Sequence, residues 1–231
     1  MSLFAIGDLH LSLNSQKSME VFKGWERYTE RIEYGFKETL TDEDTVVITG
    51  DFSWGMTLEE SLLDFKFLDS LPGKKLIMKG NHDFWWTTRN KMDFFLKENN
   101  LNTISFLHND CYFSEGVAVC GTRGWINEDN AAFKESDKKV LRREAGRLKL
   151  SLDAAADFKG ERIVFLHYPP LYGEGRAEEI LAVLKEYDIK RCFYGHIHST
   201  GAIYAPKGIY NGIEYNLVSA DYLGFKPIKV I

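Results

Sequence analysis

Short apolar runs set the limits on what this chain can fold into. They are Leu3-Phe4-Ala5-Ile6, residues 45–49 (TVVIT), 75–78 (KLIM), 117–120 (VAVC), 162–166 (RIVFL) and 191–194 (RCFY). Runs of this length and composition read as buried strands. Amphipathic stretches lie between them. Residues 25–40 place Trp25, Tyr28, Ile32, Phe36 and Leu40 at steps of three and four. Residues 137–156 do the same with Leu141, Ala145, Leu148, Leu152 and Ala155, with Ser136 or Asp137 available as a cap. Residues 58–70, 88–99 and 176–187 are further helix candidates. Strands alternating with helices predict parallel pairing through right-handed crossovers. Runs at 200–205, 208–210 and 213–219 make the last third β-rich and predict a second, partly antiparallel sheet. With no Ser/Pro-rich linker, low-complexity tract or internal repeat, a single domain over residues 1–231 is expected.

Five of the runs leave their strand in the same way. LFAI is followed by Gly7-Asp8-Leu9-His10, TVVIT by Gly50-Asp51, and KLIM, after Lys79, by Gly80-Asn81-His82-Asp83. RIVFL is followed by His167, and RCFY by Gly195-His196-Ile197-His198. Of six histidines, only His108 lies elsewhere. In an open α/β sheet the carboxyl ends of the strands converge on one crevice. In extended chain i and i+2 share a face, so Asp8 with His10, and His196 with His198, can each aim two ligands into one cleft. Five imidazoles, Asp8, Asp51, Asp83 and the Asn81 amide exceed what one metal takes. Two ions sharing a carboxylate fit better. Imidazole-rich mixed ligation favours Mn, Fe, Zn, Co or Ni over Ca and Mg. Such a pair clamps the attacking and leaving oxygens of a phosphoryl displacement, and its surplus positive charge attracts an anionic substrate.

Composition narrows the partners. A formal net charge of −5 argues against a dedicated nucleic-acid binder. Cys111, Cys120 and Cys192 are an odd count without paired spacing, and Cys120 and Cys192, inside apolar runs, read as core thiols of a reducing compartment. No basic segment leads a longer apolar one at the N-terminus, and no apolar run approaches membrane-spanning length. A soluble cytoplasmic protein is expected, with no membrane partner; the oligomeric state is open.

The motifs D-x-H (Asp8, His10), G-D (Asp51), G-N-H-D (Gly80 to Asp83), a lone His167 and G-H-x-H (Gly195 to His198), in that order, resemble the calcineurin-like metallophosphoesterases. The resemblance spans residues 8–198. It implies an α/β fold, a four-layer α/β/β/α sandwich of two mixed sheets flanked by helices. It implies two divalent or mixed-valence transition-metal ions, with Mn, Fe or Zn foremost. One would take Asp8, His10, Asp51 and His198; the other Asp51, Asn81, His167 and His196. His82, not a ligand in the family, would protonate the leaving oxygen, with Asp83 holding its imidazole, and the expected nucleophile is a metal-bound hydroxide. The G-D motif continues as Phe52-Ser53-Trp54-Gly55, without the second Asp or the phosphate-binding Arg of protein phosphatases, which speaks against protein substrates. Tyr168-Pro169-Pro170 after His167 resembles the family's H-x-P-P variants.

Other features carry competing readings. Trp54, Phe84, Trp85 and Trp86 flank the motifs, with packing expected and cleft walls the alternative. In Gly121 to Ile126 (GTRGWI), Arg123 could reach a phosphate and Trp125 could stack on substrate; the plainer reading is a glycine-bracketed turn with an exposed arginine. Lys138, Lys139, Arg142, Arg143, Arg147 and Lys149 alternate with Asp137, Glu144 and Asp153, as on a solvated helix face. The expected function is hydrolysis of a phosphomonoester or phosphodiester of a small, nucleotide-like molecule. A nuclease and a non-catalytic protein-binding relative are the alternatives.

Overall fold

The computed structural model describes residues 1–15, 17–127 and 130–231. In chain order the strands are β1 Leu3–Ile6, β2 Thr45–Ile48, β3 Lys74–Ile77, β4 Ile104–Phe106, β5 Cys111–Ser114, β6 Val117–Thr122, β7 Glu161–Leu166, β8 Leu171–Tyr172, β9 Gly175–Arg176, β10 Arg191–Tyr194, β11 Gly208–Tyr210, β12 Ile213–Leu217 and β13 Ile228–Lys229. The α-helices are α1 Tyr28–Thr39, α2 Leu62–Asp69, α3 Arg89–Glu98, α4 Glu135–Asp153 and α5 Glu178–Glu186.

Two large mixed sheets form. The first has the order β13-β1-β2-β3-β4, the second β11-β12-β10-β7-β6-β5. Strands β1 to β4 run parallel, and β13 closes on β1 antiparallel. In the second sheet β6, β7, β10 and β12 run parallel, with β5 and β11 antiparallel at the edges. The apolar runs are continuous because both faces of their strands are covered. Phe4, Ile6, Val46 and Ile48 pack outward on Ile32 and Phe36 of α1, Phe65 of α2 and Met92 of α3. Ala118, Cys120, Val164 and Cys192 pack outward on Leu148 of α4 and Val183 of α5. The alternate residues Leu3, Ala5, Val47, Val119, Ile163 and Phe165 meet in the layer between the sheets. This period-two sorting produces the expected α/β/β/α sandwich. Among the described residues no helix is long and apolar enough to cross a membrane.

Three expectations need correcting. Residues 199–203 form a 3-10 helix, not a strand; they close the loop that carries His196 and His198. Helix α4 is capped at Lys134, whose backbone N–H donates to Asp137 Oδ2 at 2.7 Å, so neither Ser136 nor Asp137 is the cap residue itself. Its charged positions are also not all solvated. Glu144 is fully buried, and it accepts from Thr122 Oγ1 at 2.7 Å and Arg147 Nη1 at 2.9 Å.

Candidate metal centre

The exits of β1, β2, β3, β7 and β10 meet where the carboxyl ends of both sheets converge. The β1 and β2 exits stay paired past the strands: Asp8 N donates to Gly50 O, and His10 N to Asp51 O, each at 2.9 Å. Asp8, His10, Asp51 and His196 all adopt positive φ, at 57°, 46°, 50° and 70°. For non-glycine residues each costs on the order of 1–3 kcal/mol, and such strain collects at functional sites. It also corrects the expected reason for convergence: left-handed turns, not strand pleating, bring Asp8 and His10 together. Glycine is required alongside, because a Cβ on Gly80 would lie 2.0 Å from Asp51 Oδ1 and one on Gly195 2.3 Å from Asp8 Oδ2.

Two groups of potential ligands result, Asp8 with His10 and His198, and Asp51 with His167 and His196. His196 and His198 therefore serve different groups. His10 Nε2 and His198 Nε2 face each other at 3.3 Å, and His198 Nε2 lies 3.5 Å from Asp8 Oδ1. In the second group His167 Nε2 lies 2.7 Å from Asn81 Oδ1 and 3.5 Å from Asp51 Oδ2. Asp51 Oδ2 is also 3.8 Å from His10 Nε2, so one carboxylate oxygen adjoins both groups. A tetrahedral ion with nitrogens about 2.05 Å away holds them about 3.3 Å apart, the spacing of the His10 and His198 nitrogens; the 2.7 Å contact between His167 and Asn81 is hydrogen-bond length.

Outer contacts set the imidazoles. His167 Nδ1 lies 3.0 Å from Thr49 O. A carbonyl only accepts, so Nδ1 carries the hydrogen and Nε2 offers its lone pair to the group. His198 Nδ1 lies 2.9 Å from Asp221 Oδ1, and the other Asp221 oxygen accepts from Ser199 N at 2.8 Å. Asp221 belongs to none of the motifs; its one signal in the sequence is a carboxylate just beyond the run at 213–219. Trp54 stacks on His10 with ring centroids 5.0 Å apart, and Tyr168 covers His196 at 4.1 Å. Trp54 thus walls the site, Trp85 is buried in the first core, Trp86 packs against it, and Phe84 is exposed.

Asp83 does not hold His82. Its carboxylate accepts from the backbone N–H groups of Asp51, Phe52, Ser53 and Gly80, at 2.7–3.3 Å, and from Trp85 Nε1 at 3.1 Å. It ties the β2 exit to the β3 exit. His82 instead donates its backbone N–H to Asp51 Oδ1 at 2.8 Å, and its half-buried ring packs on Trp54 at 4.5 Å.

The electrostatics suit cations. Burial pushes the His10 imidazole down to about 3 and that of His196 to about 4, and drives His167 well below the usual range, so all three stay neutral and can ligate. Burial, Asp83 and Asp8 together raise the Asp51 carboxyl well above the ordinary range. Burial opposes a charge on His198, yet Asp221 and Asp8 lift it to about 10, a sign that these carboxylates demand positive charge.

Arg123 and Trp125 lie one layer away from the metal groups. The Arg123 side chain is 14% exposed, so the expected exposed arginine is instead enclosed, 3.3 Å from Glu144. Its guanidinium sits 4.3 Å over the Trp125 ring, which is 5.4 Å from Tyr168.

Solved structures share this architecture. AQ665 from Aquifex aeolicus, a protein of unknown function, superposes with a TM-score of 0.52 at 16% identity, covering 99% of this chain and 95% of that one. TT1561 of Thermus thermophilus gives a TM-score of 0.54 at 12% identity, covering 98% and 96%. At such identities the likeness speaks for the fold. No curated protein matches this chain. The profile of the calcineurin-like phosphoesterases matches residues 1–200, the span that carries every motif residue above, and the chain belongs to that family.

Proposed function

We propose that the protein is a dinuclear metal-dependent phosphohydrolase acting on a phosphomonoester or phosphodiester of a small, nucleotide-like molecule. One observation carries the reading: Asp51 Oδ2 stands between the two groups, 3.8 Å from His10 Nε2 and 3.5 Å from His167 Nε2, where a bridging carboxylate belongs. Asp8, His10, Asp51 and His198 would hold one ion, and Asp51, Asn81, His167 and His196 the other. When bound, such ions polarise a phosphoryl oxygen and activate water. The chain's own residues do the rest. Thr49 and Asp221 fix the tautomers of His167 and His198. Trp54 and Tyr168 shield the imidazoles from bulk water, which strengthens every charge interaction with an anionic ester. His82, held by its backbone on Asp51 and by its ring on Trp54, donates a proton to the leaving oxygen. Burial lowers its pKa, so the proton is readily released, and a phosphate beside the ring favours its uptake.

Purified protein loaded with Mn²⁺ should hydrolyse an aryl phosphate monoester, diester or both. Silence on both, with metal confirmed bound, overturns the proposal. Asp51→Asn should lose both ions together, and retention of two tightly held ions contradicts the bridge. His82→Ala should keep the metals and slow alkyl esters more than aryl esters, by about 10²–10⁴ for the alkyl case. Equal slowing removes the proton-donor role.

A further inference from the structure

Near the metal centre is a cavity of about 350 Å³, which none of the metal-group residues lines. It opens at the ends of β3 and β6, one strand from each sheet. Met78, Trp86 and Leu107 supply an apolar wall; Lys79, Arg123 and Arg147 supply a cationic one. Glu144, also lining the cavity, is fully buried and lies 3.3 Å from Arg123 Nη2 and 2.9 Å from Arg147 Nη1, so one carboxylate anchors both guanidinium groups. It neutralises one charge and leaves a surplus.

The surplus has open hydrogen-bonding capacity. Among the described residues the Lys79 ammonium makes no hydrogen bond or ion pair within the usual distances and feels only through-space charges, and Arg123 Nε is buried without an acceptor. Arg123 Nε, enclosed without a partner, is costly unless an acceptor meets it, whereas half-buried Lys79 brings its charge to the rim. The cavity is also built into the frame of the metal centre. Only Gly80 separates Lys79 from Asn81. The Arg123 carbonyl accepts the backbone N–H of His167 at 3.2 Å and of Tyr168 at 2.8 Å.

We propose that this cavity receives a second anionic group, a phosphate or a carboxylate, carried by the same substrate whose phosphate ester is cut at the metal centre. The assignment rests on the phosphohydrolase reading and narrows it: the preferred substrate bears two anionic groups joined by a short body. Paired guanidinium groups and an ammonium offer charge-assisted hydrogen bonds suited to an oxyanion. The apolar wall at Met78, Trp86 and Leu107 suits the carbon body that carries it.

The test uses the metal-loaded full chain and alkyl phosphates of matched length ending in a methyl, a carboxylate or a second phosphate. An anionic end should raise kcat/KM by about tenfold or more over methyl, mostly through KM. Comparison of the carboxylate and phosphate arms identifies which oxyanion is taken. In Lys79→Gln with Arg147→Gln the advantage should shrink toward none. Lys79→Gln alone breaks no hydrogen bond or ion pair, so it guards against misfolding and should move the ratio in the same direction by less. No advantage in the wild type, or one untouched in the double variant, overturns the proposal. If no ester is hydrolysed, the phosphohydrolase reading fails by itself, and calorimetric titration with inorganic phosphate judges the cavity separately. Binding weakened about tenfold in the double variant supports the assignment, and identical isotherms remove it.

Discussion

His198 shows how much the site depends on a residue outside the motifs. Asp221 fixes its ring through Nδ1, and carboxylate–imidazole supports of this kind are typically worth about 10–100-fold in metal affinity. Asp221→Ala should weaken metal binding by that factor, read by competition with a chelating dye, while the fold, read by circular dichroism, is retained. Gly80→Ala is a steric counterpart. Its new methyl collides with Asp51 Oδ1 and with the Asp51 backbone nitrogen 2.2 Å away, so both ions should be lost together, as metal analysis would show. The Asp and His residues of the site were legible because each follows an apolar run. Asp221 was not, since it stands alone two residues past the buried Ser219. The resemblance, together with adjacency in sequence, makes Asp83 the expected partner of His82. Its carboxylate points instead to four backbone amides, and burial holds it up to about 6 despite them.

At the scale of the element, strand β3 carries a charge inside what reads as an apolar run. Lys75 is fully buried, and its Nζ donates to Thr103 Oγ1 at 3.0 Å, to Asp69 O at 3.4 Å and to Leu71 O. It staples β3 to the α2–β3 loop and to the start of β4. Lys75→Met should therefore cost about 1–3 kcal/mol by leaving acceptors unmet, read as a lower denaturant midpoint at unchanged m. Burial pushes this ammonium down to about 8, against an ordinary 10.5 in the unfolded chain. Between those values the unfolded state binds more protons, so stability rises with pH. The margin of wild type over Lys75→Met should widen from pH 8 to pH 10. The six apolar runs form strands as expected, but β4, β5, β8, β9 and β13 are not legible in the sequence. They are two to four residues long, and β5 is only partly buried, so no periodic pattern marks them. The burial of Glu144 was equally hidden, because its partners Thr122 and Arg123 lie 22 and 21 residues away.

For the molecule as a whole, the sandwich was legible from its resemblance, but the allocation of strands to sheets was not. A strand covered on both faces reads the same in either sheet, so nothing local assigns KLIM to the first and VAVC to the second. Position in the assembled molecule decides the chemistry. Asp8 and His10 leave the first sheet and His198 the second; Asp51 leaves the first, and His167 and His196 the second. An ion at a hundred times its dissociation constant adds about 2.7 kcal/mol to the folded state. Mn²⁺ should accordingly raise Tm and a chelator reverse the gain, in a melting experiment where Asp51→Asn responds to neither. Because each candidate group draws ligands from both sheets, a cation bound there would tie the two halves together. A chain whose halves have not met offers at best a partial cage, so a cation would hold it less tightly than it holds the finished molecule.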